Sequence, residues 1–226
     1  MSTNKIGTRK ESSLHRSLKF QYSGKENLVE TPAGSYVCDA CTDDGEYIEV
    51  QTGSFGPLKE KAKEITKKSK LRIIHPIISQ KHIELYDEKG RLKRRRKSPL
   101  KGNPWDLFKA LVYAPELPLL KNLVIELAVI EVIEKRIDDG TGSWRRKGVR
   151  IADRSLVFRR DTVILKKPKD YKQFVPFTKK EQFTVRDLAE KAGIKPELAR
   201  QTLYVLTKMG IVKRVGKKVN AIVYSL

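Results

Sequence analysis

Cysteine is scarce in this chain, two in 226 residues, so no disulfide framework holds it and a reducing, cytoplasmic setting is expected. Long apolar runs are missing as well. The most apolar stretch, Leu123 to Ile133, is interrupted by Glu126 and Glu131 and falls short of the ~18 consecutive apolar residues of a membrane-spanning helix. The opening MSTNKIGTRKESSLHRSL holds no apolar core of a secretory signal, and no membrane partner is expected. G-x-S-x-G, H-E-x-x-H and Walker A sequences are absent, which leaves serine-hydrolase, zinc-peptidase and P-loop readings without their motifs. Cys38-x-x-Cys41 has no second ligand pair, and at strand spacing its side chains point to opposite faces, so it is not read as a zinc site. His15, His75 and His82 are scattered. Acid is the largest shortage: 27 Asp and Glu face 48 Lys and Arg, a net charge of +21 that favours a polyanionic partner.

What is present is patterned. Leu14, Leu18 and Tyr22 recur every four residues behind the polar Glu11-Ser12-Ser13, predicting an amphipathic helix over about Lys10 to Tyr22. Leu28 to Thr31 reads as a brief extended piece, Ser35 to Cys41 as a strand, and Tyr47 to Thr52 as a second strand across a tight turn. Leu58 to Lys68 carries Leu58, Ala62 and Ile65 on one helical face, after which Leu71 to Ile78 and His82 to Tyr86 return as two strands. Lys89 to Lys101, dense in Lys and Arg with no acid between, reads as a basic loop. A helix around Trp105–Val112, a β-rich stretch from Leu123 to Ile137 and a basic strand pair within Arg145–Leu165 follow.

Lys166 to Thr178, with two prolines and four lysines, reads as a linker. Beyond it, Thr184-Val185-Arg186-Asp187 resembles a capping box opening a helix ended by Gly193, and Pro196 opens a second helix stopped by Gly210. Strands at Ile211–Val215 and Val219–Tyr224 then flank Gly216-Lys217-Lys218. The expected organisation is an α/β domain at 1–165, a mixed central sheet flanked by helices and carrying basic loops, then a linker at 166–178 and a second, smaller domain at 179–226.

The chemistry concentrates in the first hairpin, where Glu49 and Gln51 share one strand face with Tyr47. Whether Asp39 joins them depends on the turn. A two-residue turn at Asp44-Gly45 sets Asp39 against Val50, whereas a three-residue turn at Asp43-Asp44-Gly45 sets it against Glu49. In the second register two carboxylates lie side by side at ~4.5–5.5 Å between Cβ atoms, an arrangement a cation relieves. Mg²⁺ suits it, with Mn²⁺ as the alternative, since such ions take one or two carboxylates and fill their other positions with water and phosphate.

Glu11 on a leading helix, Asp39 on one strand and Glu49-Val50-Gln51 on the next, within a helix–strand–strand–strand–helix–strand order, resemble the PD-(D/E)XK, or restriction-endonuclease-like, nuclease superfamily over roughly residues 10–80. The resemblance implies that Asp39 and Glu49 bind Mg²⁺, that Gln51 takes the place of the lysine orienting the attacking water, and that Glu11 is the helix acid near the metal, with Glu30 as a spare for its role. Cys38 stands where that pattern has proline. Glutamine in place of lysine removes a charge that would stabilise hydroxide.

DNA is the expected partner, with RNA as the alternative and a homodimer left open. Arg94, Arg95, Arg96, Arg145, Arg146 and Lys147 are candidate phosphate contacts. Residues 176–226 hold eleven Lys and Arg against four acids and look like a winged helix-turn-helix. That resemblance makes Lys195, Arg200, Gln201 and Lys208 helix contacts, and Lys213, Arg214, Lys217 and Lys218 wing contacts. The function expected is a DNA-binding, Mg²⁺-dependent endonuclease; its rival is a non-catalytic winged-helix DNA-binding protein or regulator with an inactive nuclease-like domain.

Overall fold

The structure, a computed structural model, describes residues 12–23 and 29–226. Runs of β-forming residues make β1 (Val29–Ala33), β2 (Tyr36–Cys41), β3 (Tyr47–Val50), β4 (Leu71–Asp87), β5 (Leu92–Lys97), β6 (Leu123–Asp138), β7 (Val149–Leu165), β8 (Lys213–Lys218) and β9 (Ala221–Ser225). Apolar residues at helical spacing make α1 (Ser13–Ser23), α2 (Lys59–Thr66), α3 (Leu107–Leu111), α4 (Val185–Ala192) and α5 (Pro196–Lys208). The fold is the expected α/β arrangement. A large mixed sheet runs β1-β2-β3-β4-β6-β7, and β8 and β9 form a separate two-stranded sheet.

β1, β2 and β3 form an antiparallel meander, α2 then crosses over, and β4 returns parallel to β3. β4 uses one edge twice, pairing Leu71–Ile74 with β3 and His82–Tyr86 with β5, while its other edge runs parallel to β6. Helices cover both faces. Leu14 and Leu18 of α1 pack on Ala40, Ile48, Val50 and Ile74, and the opposite face buries Phe55, Ala62, Ile65, Phe108 and Leu203 from α2, α3, α5 and their connections. Each such Leu, Ile or Phe contributes roughly 1.5–3 kcal/mol by leaving water.

β4, β6 and β7 are 17, 16 and 17 residues long, on the order of 50 Å at ~3.3 Å per residue. Their buried positions end at Ile83 on β4 and Glu134 on β6. The ends of these strands, with β5 and the 139–148 connection, form an arm, and α1 touches its base where the Ser13 N–H donates to the Asp153 carboxylate at 2.9 Å.

Several expectations are corrected. Arg94 to Arg96 lie on β5 rather than in a loop, because an edge strand pairs through its backbone and tolerates, even favours, exposed cations. The two strands expected at Leu71–Ile78 and His82–Tyr86 are one strand with an irregularity between Ile78 and Gln80. Arg145–Leu165 is not a strand pair but a loop followed by the single strand β7. The supposed linker holds a 3₁₀ helix at Pro168–Phe174 with Tyr171 and Phe174 buried, Phe174 meeting Phe108 edge-on at 5.0 Å. Asp170 caps it, its carboxylate accepting from the Lys166 and Lys167 N–H groups at 2.8 and 2.9 Å. Gly216 lies within β8 at a bulge, so that hairpin turns at Val219-Asn220 instead of Gly216-Lys217-Lys218.

Candidate functional site

The first hairpin turns as the three-residue alternative requires. Gly45 sits at φ +81°, its N–H donates to the Thr42 carbonyl at 3.0 Å, and the Thr42 N–H donates to the Glu46 carbonyl at 2.9 Å. Ala40 pairs with Ile48 and Cys41 with Tyr47, the register that sets Asp39 against Glu49. The ladder stops there. Continued regularly, it would give the Val50 N–H to the Cys38 carbonyl; instead Asp39 Oδ2 accepts from Val50 N at 2.8 Å. Cys38 packs into the α2 side of the core and Ala40, two residues on, into the α1 side. Residues two apart on a regular strand share a face, so β2 twists at Asp39 and its carboxylate fills the gap.

Both acids are held against cations. Asp39 lies 3.1 Å from Lys19 Nζ and 3.0 Å from His15 Nε2, both on α1. Glu49 lies 2.5 Å from Lys61 Nζ, on the first turns of α2, and the same ammonium donates to the Val37 carbonyl at 2.7 Å. Side chains of Asp39, Glu49 and Lys61 are each at most 15% exposed. Burial pushes the Asp39 carboxyl up, but His15, the Val50 N–H and Lys19 outweigh it and hold the group below the usual carboxylate range. Glu49 goes the other way, raised by burial and by Asp39's charge beyond what Lys61 offsets. Cys38, next to Asp39 and buried on the α2 side, has its thiol pushed up to about 12 by burial and is inert.

Lys61 was not among the sequence candidates. It does carry a signal: it lies three residues after Leu58 and four before Ile65, on the apolar stripe of its helix, where an unpaired ammonium would be costly. Gln51 is turned elsewhere, its side-chain amide donating to the Ser54 carbonyl within its own turn, while its backbone carbonyl accepts from His75 Nδ1 at 2.7 Å. Burial lowers the His75 pKa. Glu11 lies outside the described residues, and Glu30 is largely exposed, 3.7 Å from Lys19. Among the described residues no group of three or more His, Cys, Asp or Glu comes together as a metal site; the acids that meet in the hairpin are Asp39 and Glu49.

The basic candidates divide by partner. Arg95 lies 3.7 Å from Glu84, whereas Arg94 and Arg96, on the opposite face of β5, meet no carboxylate among the described residues. Arg145, Arg146 and Lys147 occupy the connection at the arm's end. α5 buries Leu198, Ala199, Thr202, Leu203, Val205 and Leu206 and packs on α3, leaving a narrow outer stripe in which Arg200 pairs with Glu197 at 2.5 Å and Lys208 sits near Tyr204. Lys195 and Gln201 instead line a cleft of about 900 Å³ between α5, α3 and the sheet, which Thr52 and Gly53 reach just past Gln51. Lys213, Arg214, Lys217 and Lys218 are exposed along β8.

No solved structure matches the chain. An uncharacterized protein of Treponema pallidum (strain Nichols) is 29% identical over 152 residues, 67% of this chain and 61% of that protein, so the chain spans about three fifths of its relative's length. A family model described as "Domain of unknown function (DUF8091)" matches residues 12–166, a span that contains the acid pair, Lys61 and the arm and ends before α4 and α5. The chain belongs to that family.

Proposed function

We propose that this protein is a divalent-metal-dependent nuclease that binds DNA and hydrolyses phosphodiester bonds. The observation that carries this reading is the pair Asp39 and Glu49, two partly buried carboxylates from adjacent strands held where the β2–β3 ladder opens, with Lys61 on Glu49. The order α1-β1-β2-β3-α2-β4, an antiparallel meander followed by a parallel crossover, supports the restriction-endonuclease-like resemblance.

The oxygen donors of Asp39 and Glu49 suit a small hard cation, which would take water and substrate phosphate at its remaining positions. Asp39 and Glu49 would hold Mg²⁺ or Mn²⁺, which when bound relieves their repulsion and polarises the scissile phosphate. Lys61 supplies the fixed positive charge that Gln51 lacks, within reach of Glu49, and it orients the attacking water and stabilises charge developing on the phosphoryl oxygens. His15, Lys19 and the Val50 N–H keep Asp39 ionised and fixed in direction. The cations of the arm and β8 hold the DNA backbone.

One observation favours the non-catalytic rival: each carboxylate already has a lysine partner, a self-sufficient ionic arrangement. The experiment that separates them is cleavage of plasmid and labelled DNA and RNA with Mg²⁺ or Mn²⁺, by wild type, Asp39→Ala and Glu49→Ala, with binding measured in parallel. Metal-dependent DNA cleavage lost in both variants while binding survives is the expected result. Binding without cleavage at any metal concentration would leave the rival, and cleavage of RNA alone would change the substrate.

A further inference from the structure

At the far end of the arm, the β6–β7 connection is a closed loop. The Asp139 carboxylate accepts from the Thr141 N–H and O–H at 3.1 and 2.7 Å and pairs with Arg150. The Gly142 N–H donates to the Gly148 carbonyl at 2.6 Å. A Cβ on Gly142 would fall 2.1 Å from the Val149 backbone, and one on Gly148, at φ +80°, would fall 2.9 Å from Gly140, so only glycine closes this neck. Beyond it, Trp144–Arg146 make one 3₁₀ turn that holds the Trp144 indole 84% exposed. Trp105, the other tryptophan, packs edge-on against Phe174.

Holding a large apolar ring in water on a tied loop forgoes the stabilisation that burial gives it. Three cations follow it in the chain: Arg145 sits 5.6 Å from the ring centroid, Arg146 reaches the Val149 carbonyl, and Lys147 comes next, none with a carboxylate partner among the described residues. On β5, Arg94 and Arg96 share a face and likewise meet no carboxylate among the described residues, while Lys97 lies on the other face with Arg95. Cations without carboxylate partners beside a single exposed aromatic ring match a nucleic-acid strand, whose phosphates accompany base faces, better than the plane of an anionic lipid surface.

We infer that Trp144 is a base-stacking residue: the arm tip engages bound DNA, its indole against a nucleobase while Arg145, Arg146 and Lys147 neutralise phosphates. This rests on the DNA-binding half of the proposed function and is independent of catalysis. The test titrates labelled duplex and single-stranded DNA with the full chain in the absence of divalent cation. Trp144→Ala weakens binding about tenfold, as loss of one stacked base does, with the salt dependence unchanged, and Trp144→Phe restores most of the affinity. Arg145→Ala and Lys147→Ala instead each reduce the salt slope by about one unit. DNA quenches the wild-type tryptophan emission, and melting curves of the variants overlay the wild type because the ring is exposed. Wild-type affinity in Trp144→Ala, no DNA binding by the wild type, or Trp144-dependent binding to phosphatidylserine vesicles in its place would overturn the inference. Metal-dependent cleavage with no effect of Trp144→Ala sinks this inference and leaves the nuclease reading; Trp144-dependent binding without cleavage does the reverse.

Discussion

Glu49, partly buried, and Glu134, fully buried, are both carboxylates on the central sheet, and their surroundings oppose each other. Glu134, fully buried on β6, lies 2.6 Å from Arg136, 2.8 Å from Arg154 and 3.2 Å from Lys81. Burial alone would raise it, but Arg136, Arg154 and Lys81 bring it down to about 2. Glu49 has one lysine and a second carboxylate, and it is raised. Two acids withdrawn from water thus differ in company: one is surrounded by excess positive charge at the base of the arm and the other is short of it in the hairpin. The first is what a structural anchor requires; the second leaves room for a further cation, which is how a site differs from a scaffold.

This contrast can be broken in four ways. The largest effect expected is on chemistry: Asp39→Ala lowers metal-dependent cleavage on the order of 10³-fold in a plasmid assay while DNA binding without metal is kept. Cleavage unchanged by this substitution would reduce the hairpin to a second scaffold. Glu134→Gln, by contrast, costs roughly 3 kcal/mol in urea denaturation, because three cations lose their buried partner. Its pH signature follows from the lowered value. Glu134 contributes stability fully present above the ordinary carboxylate range and lost as pH falls toward about 2, so the variant's stability depends less on pH across that window.

Lys61→Met should lower cleavage about 10²-fold with the fold retained, and Gln51→Ala should lower it far less, since Gln51 spends its amide on Ser54. The reverse ranking in steady-state rates would return the water-orienting role to Gln51. The smallest effect is Glu49→Gln on stability, within about 1 kcal/mol of wild type at neutral pH. Its pH dependence has the opposite sign to that of Glu134: a raised carboxyl favours the folded state when protonated, and ionisation erodes stability as pH rises through the folded value. Paired urea titrations across acid and neutral pH would expose the two slopes.

How much of this could be read from residue order depends on how local each feature is. The hairpin turn was legible only to within two alternatives, since Asp44-Gly45 suits a two-residue turn as well, and the left-handed Gly45 closes the three-residue one. The Thr184–Asp187 capping box was legible outright and forms, the Asp187 carboxylate accepting from the Thr184 N–H at 2.8 Å. β5 was not, since Leu92–Lys97 resembles a solvated loop until β4 offers an edge to pair with. Nor was the packing of Tyr171 and Phe174, three residues apart between lysines, which needed Phe108 and Trp105 opposite them. Lys61 was visible only as a cation on an apolar stripe, with nothing nearby to name its partner twelve residues back.

Composition and local spacing by themselves determined the α/β class and the cationic character, and narrowed the hairpin to two registers, of which the fold takes the one that sets Asp39 against Glu49. These follow from backbone stereochemistry and side-chain periodicity, which act over a few residues. The tertiary structure alone decided which cation meets which carboxylate. Lys61 reaches Glu49 only because α2 crosses back over the sheet, and Glu134 gathers Lys81 and Arg154 only because three long strands run side by side. Charge interactions fall off with distance and gain strength with burial, and both are set by the closure of the chain rather than by its order.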